Sequence, residues 1–202
     1  PVACRPGAPA GPGIVPQFFW GAMELLAFRA FYDADPAAFP MAFQATASYV
    51  WMQQAFLALF GAWFFENEIF QSIRDGSVAY EPSRPTDLYA MWFARSAPNR
   101  VSRAVLRCVP ILLVAAFLPA PYGMTLPASP AALLWWLVTM ALAVAVTVGY
   151  NMLVYFITFF TVSPNGVRIV AVSLVELLQG AIIPLPFFPD GLRQVLELLP
   201  FA

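Results

Sequence analysis

The chain has 202 residues, of which 61% are hydrophobic and 10% charged, and its formal net charge is −1. A soluble domain carries about 25% charged residues, and a chain of this length has too little interior to hide so much apolar side chain from water, so lipid is the expected solvent for most of it. All ten basic residues are arginine and no histidine occurs, which excludes Ser–His and Cys–His catalysis, His-ligated zinc or haem and His-based proton relays, and the charge balance offers nothing that attracts nucleic acid.

Residues 1–13, PVACRPGAPAGPG, have neither the basic n-region nor the apolar h-region of a signal peptide, and they read as a disordered tail or a truncated start. Cys4 lies in this tail, and Cys108 opens an apolar run; neither spacing suggests a metal site or a disulfide framework. From residue 14 onward a single membrane domain is expected, all-α and polytopic, with about five spans of the roughly 17–25 residues that a bilayer requires. The first, 14–32, holds Glu24 and Arg29, and the second runs 44–66. A polar insert occupies 67–103, the third span 104–121, and the fourth 131–161; the last is long enough to tilt or project. The fifth runs 168–185. The remainder, PFFPDGLRQVLELLPFA, is too short to cross and is expected to form a re-entrant or interfacial hairpin. The apolar runs are unbroken rather than alternating, which fits helices and not a barrel.

Arginines sort the loops. Arg5, Arg74, Arg84, Arg95, Arg100, Arg103, Arg107 and Arg168 fall on one side, against Arg29 and Arg193 on the other. The insert and the 162–168 loop are therefore expected in the cytoplasm, and the 122–130 loop outside.

Within the insert, Ile69, Phe70 and Ile73 share a helical face and Gly76 supplies a stop, so the second span is expected to continue into the cytoplasm and end there. SVAYEPSRP is expected to be extended, because Pro82 and Pro85 disfavour the helical region for the residues before them. Thr86 is then a cap for a short amphipathic helix over 87–95, with Asp87 in its first turn and Leu88, Met91 and Trp92 as its apolar stripe. Two readings stand: a solvated loop with an interfacial anchor, or a docking surface for a cytoplasmic partner.

Intramembrane carboxylates are functional suspects by default. Glu24 is either paired, with Arg29 five residues on, or functional. Glu176 has no partner on its own helix; it either lines a substrate path or makes interhelical hydrogen bonds. Asn151 and Gln179 are candidates for the same path, and as amides in lipid they are also natural interhelical glue.

IRDGSVAYEPSRPTDLYAMWFA resembles the signature of the permease subunits of bacterial ABC exporters of the type 2 class. The matching residues are Ile73, Gly76, Ala79, Tyr80, Glu81, Arg84, Pro85, Asp87, Leu88, Tyr89, Trp92, Phe93 and Ala94. A second match runs from Gly180 through Ile183, Pro184, Leu185, Phe187, Phe188 and Pro189 to Leu192, Leu196, Leu199, Pro200 and Phe201, and QFFWGAMELLAFRAFY is also similar. The likeness covers about 14–202. It implies a six-span permease of the bacterial inner membrane, of which this chain is expected to lack the basic N-terminal segment and the sixth span. It implies a dimer of permeases served by a separate ATP-binding subunit, since no G-x-x-x-x-G-K-[ST] phosphate cradle occurs here. The resemblance makes Arg74, Gly76, Tyr80, Glu81, Arg84, Pro85, Asp87 and Tyr89 the surface that couples to the ATPase. It makes Pro184, Pro186, Phe187 and Phe188 part of an outer gate. No catalytic residue, metal or cofactor is expected, ATP being held by the partner. Two rivals remain: a scaffold that does not transport, and a histidine-free intramembrane enzyme.

Overall fold

The computed structural model describes residues 11–37, 39–83, 87–125, 129–161, 164–180 and 183–199, and every regular element among them is helical. Seven α-helices occur among these residues: α1 (Gly11–Ala34), α2 (Phe43–Phe60), α3 (Asn67–Arg74), α4 (Leu88–Phe117), α5 (Pro130–Thr158), α6 (Pro164–Leu178) and α7 (Asp190–Leu196). Two 3-10 segments, Ser77–Ser83 and Leu185–Phe187, complete the set. By length and composition one described helix, α5, is long and apolar enough to cross a membrane, against the five spans expected. At 1.5 Å per residue its 29 residues reach about 43 Å, beyond the ~30 Å of a hydrocarbon core. Ser129 caps it, its hydroxyl accepting from Ala132 N at 3.1 Å, and Pro130 occupies the first turn, where its missing N–H costs nothing. The other long helices carry polar interruptions: Glu24, Arg29 and Asp33 in α1, and Arg95, Arg100, Arg103 and Arg107 in α4.

Several local expectations are corrected. The helix begins at Gly11, inside the stretch read as tail. The second span does not run on to Gly76: α2 ends at Phe60, residues 61–66 are not helical, and α3 starts afresh at Asn67. Ser77–Ser83 is 3-10 rather than extended, because the proline φ near −65° suits a 3-10 turn as well as an extended strand. The helix expected over 87–95 is not a separate element. It is the start of α4, which continues through Pro98 and Pro110 to Phe117. Finally, α6 ends at Leu178 and the chain turns at Gly180 (φ +77°), before the prolines expected to break it.

The chain divides into two compact units, 1–57 with 102–126, and 58–101 with 127–202. In the first unit Leu25, Phe43, Ala47, Trp51, Ala55, Ile111 and Ala115 form a buried core. Phe18 stacks on Trp51 with ring centres 5.3 Å apart, and the Trp51 indole N–H donates to Tyr122 O at 2.9 Å. In the second unit the core is Phe65, Ile69, Phe70, Trp92, Val148, Met152, Val154, Tyr155 and Ala171. The Tyr155 ring takes edge contacts from Phe65, Phe70 and Trp92 at 5.9, 4.8 and 5.9 Å. The stripe expected to lie on a membrane surface is thus packed on protein: Trp92 is in this core, and Leu88 and Met91 lie against it.

Candidate functional site

The segment 73–94, expected to couple to an ATPase, is an exposed surface on an anchored base. Ile73, Val78 and Leu88 pack against the core of the second unit, while Arg74, Gly76, Tyr80, Asp87 and Tyr89 are exposed. Gly76 has φ +77°, the left-handed conformation that lets the chain leave α3 without a Cβ clash. Asp75 closes this corner by accepting from Ser77 N at 3.0 Å. Hydrogen bonds from Ser77, first from its hydroxyl and then from its N–H, hold the Asp75 carboxyl below the usual range. Asp87 Oδ2 accepts from Ala90 N at 2.9 Å, so Asp87 is the N-cap of α4 rather than a residue of its first turn. Tyr89 stacks on Phe93 with ring centres 6.1 Å apart, and its hydroxyl lies 3.7 Å from where a Cβ on Gly149 would stand. Arg84, Pro85 and Thr86 lie outside the described residues, as does the side chain of Glu81, whose backbone belongs to the 3-10 segment.

Beneath this surface, the 61–66 segment is held by side chains from two helices. Arg100, only 3% exposed, donates from Nη1 to Leu59 O and Gly61 O, each at 3.1 Å, and from Nη2 to Phe64 O at 2.5 Å. Asn151 Nδ2 donates to the same Phe64 O at 2.8 Å, and Glu66 N donates to Tyr155 Oη at 2.7 Å. Helix ends leave carbonyls without intrahelical partners, and here one guanidinium serves the end of α2. Sequence reasoning counted Arg100 as a loop charge and missed this role. The only signal was its place in an amphipathic stretch, where a buried arginine and an exposed one look alike.

Of the polar residues expected within spans, Glu24 belongs to the first unit and Asn151, Glu176 and Gln179 to the second. Glu24 is half-buried in the first unit and accepts from Gln54 Nε2 at 3.3 Å. Its expected partner Arg29 instead binds Asp33 at 2.9 Å, because i,i+4 residues share a helical face and i,i+5 residues do not. Gln17 Nε2 donates to Gln54 O. Gln17, Gly21 and Glu24 form one stripe of α1, and a Cβ on Gly21 would meet Gln54 Cγ at 2.8 Å, so glycine there admits the Gln54 side chain. The oxygens Gln17 Oε1 and Gln54 Oε1 are buried without a partner among the described residues. In the second unit Asn151 is buried and serves Phe64, with its Oδ1 unpartnered among the described residues. Glu176 and Gln179, near the end of α6, are half-buried, and their side chains make no hydrogen bond among the described residues. Within the second unit, no hydrogen bond links Asn151, Glu176 and Gln179 among the described residues.

The residues expected to form an outer gate, Pro184, Pro186, Phe187 and Phe188, gather in one tight turn. Pro184 is buried, and its carbonyl accepts from Phe187 N at 3.0 Å; Leu185 O accepts from Phe188 N at 3.1 Å. Pro186, Phe187 and Phe188 are half-buried, and Leu185 Cγ lies 3.2 Å from where a Cβ on Gly180 would stand. Leu196 of α7 is buried, whereas Leu192 and Val195 are exposed. No group of acidic, cysteine or histidine residues able to hold a metal occurs among the described residues. No family model matches the chain, and no curated protein or solved structure matches it.

Proposed function

We propose that this chain is the membrane-embedded permease subunit of an ATP-driven ABC exporter, a multi-pass protein of the bacterial inner membrane that pairs with a second permease and draws energy from a separate ATP-binding subunit. The observation that carries this reading is the insert. The segment whose residues resemble the coupling signature is an exposed polar and aromatic surface, Arg74 to Tyr80 with Asp87 and Tyr89, fixed to a buried core by Ile73, Val78 and Leu88. A merely solvated loop needs no such anchorage; a surface that receives force from a partner does. The apolar side chains exposed along α1, α4, α5 and α6, among them Phe19, Trp20, Leu106, Trp135, Leu142 and Ile169, support lipid as their surroundings. Transport would follow from alternation between two packings of the spans, driven when the ATPase moves the insert. The chain itself would turn over no substrate.

The test is co-purification of the ATP-binding subunit, with transport per ATP consumed, for Arg84→Ala and Pro85→Ala. Both variants are expected to insert normally and to lose ATPase recruitment or coupling. Parent-like recruitment and transport in both would make the insert a passive loop. Orientation is tested with single cysteines at Ser77 and Ser129 in a background without Cys4 and Cys108. An impermeant thiol reagent on intact cells should label position 129 and spare 77; the reverse pattern would overturn the coupling role.

A further inference from the structure

Arg168 is placed unlike the arginines that form ion pairs. Arg29, Arg95 and Arg193 each bind a carboxylate, of Asp33, Glu68 and Glu197. Arg168 makes no ion pair among the described residues. Its guanidinium lies over the rings of Phe65 and Phe70, 5.2 and 5.1 Å from their centres, and Nη1 donates to the neutral Asn67 Oδ1 at 3.3 Å. Two ring faces fix the group without neutralising it, and most of its five N–H donors are left to bind something else.

What it faces is a cleft of about 510 Å³ within the second unit, lined by Trp63, Phe65, Asn165, Arg168, Ile169, Val172 and Ser173. The lining is divided by chemistry. Arg168, Asn165 and Ser173 offer polar groups, and Asn165 is in the first turn of α6, where the helix dipole is positive. Trp63, Ile169 and Val172 offer an apolar wall, with Ile169 67% exposed. A small inorganic anion would satisfy the first group and leave the wall in contact with water. An amphiphile with an anionic head satisfies both.

We infer that this cleft binds an anionic membrane phospholipid, its phosphate on Arg168 and an acyl chain along Trp63, Ile169 and Val172. The inference rests on the membrane-embedded reading above. Arginine suits a phosphate because its planar fork gives two parallel N–H···O bonds. A net-negative headgroup leaves no choline or ethanolamine cation to meet the like charge of Arg168. The occupant would be a fixed lipid of the leaflet next to the 162–168 loop, which the arginine distribution assigns to the cytoplasmic side.

The experiment uses the full chain purified from membranes into nanodiscs made from equal parts phosphatidylglycerol and phosphatidylcholine. The lipid that stays with the protein after detergent exchange is measured by mass spectrometry. The parent is expected to retain phosphatidylglycerol in preference to phosphatidylcholine. Arg168→Gln should lower that preference about fivefold, the scale of one basic contact with an anionic lipid, whereas Arg193→Gln should leave it unchanged. Ser173→Trp fills the cleft without touching the charge and should act like Arg168→Gln, so the test does not depend on one variant folding. Equal retention of the two lipids by the parent, or unchanged preference in both cleft variants, overturns the site. Inorganic phosphate competing fully at millimolar concentration would also overturn it, by making the ligand a free anion. Extraction of the parent by alkaline carbonate would sink the membrane reading itself; an integral protein without lipid preference would sink only this inference.

Discussion

Among the described residues each unit buries a polar node, and the two nodes are built on opposite principles. In the second unit, Arg100 finds acceptors at Leu59 O, Gly61 O and Phe64 O, Glu66 N finds Tyr155 Oη, and one oxygen, Asn151 Oδ1, is left over. In the first, Gln54 and Gln17 spend their N–H groups on Glu24 and on Gln54 O, while both amide oxygens and a half-buried carboxylate stay under-used. A saturated node fixes a backbone and has little left for any ligand. An unsaturated one is held at a cost of about 1–3 kcal/mol per orphaned group, which is tolerable where a proton, a water or a passing substrate uses the free acceptors. Burial alone therefore does not mark a working site; the count of spare donors and acceptors does.

This contrast is open to attack by mutation. The largest effect should come from Arg100→Met, which takes the guanidinium away from Leu59 O, Gly61 O and Phe64 O and leaves the last two with only their Phe64 N and Asn151 Nδ2 donors. A loss above about 3 kcal/mol is expected, read as collapse of folded yield and of the thermal midpoint, with Arg100→Lys restoring only part because it lacks the planar fork. A near-neutral Arg100→Met would mean that water serves these carbonyls and that the node is not structural. Tyr155→Phe removes one acceptor from the same node and should cost about 1–3 kcal/mol in chemical denaturation. Asp87→Ala should cost about 1 kcal/mol by uncapping α4, whereas Asp87→Asn keeps the cap. The pair separates fold from coupling: Asp87→Asn should fold like the parent and still lose ATPase recruitment. The smallest effect belongs to the first node. Gln54→Leu removes an orphaned oxygen with its amide and should lie within about 1 kcal/mol of the parent, of either sign, while transport falls. A loss as large as that of Arg100→Met would place both nodes in the same structural class.

What the sequence made readable follows from the same physics. The long helix expected over 131–161 was readable because α5, Pro130–Thr158, is one long apolar run. The turn at Gly76 was equally local. The end of α2 was not, since FGAWFFEN reads as unbroken apolar helix and the side chain that satisfies its carbonyls is Arg100, far along the chain. Likewise the Leu88–Met91–Trp92 stripe was recognisable as apolar, but periodicity cannot say whether such a stripe meets lipid or Tyr155. For Glu24, proximity in sequence suggested Arg29. The fold supplied Gln54 from another helix, and geometry gave Arg29 to Asp33.

The arginine at the end of α2 also sets a timetable for biosynthesis. Leu59, Gly61 and Phe64 leave the ribosome 41, 39 and 36 residues ahead of Arg100. At about 5–20 residues per second, the interval from Leu59 is roughly 2–8 s. Through that time the 61–66 segment has no arginine to close it, and its carbonyls must be served by water or by other passing donors. The 61–66 bend thus closes in stages, with Arg100 first and Asn151 and Tyr155 later, and a nascent chain stalled before residue 100 would carry that bend with none of its three side-chain partners.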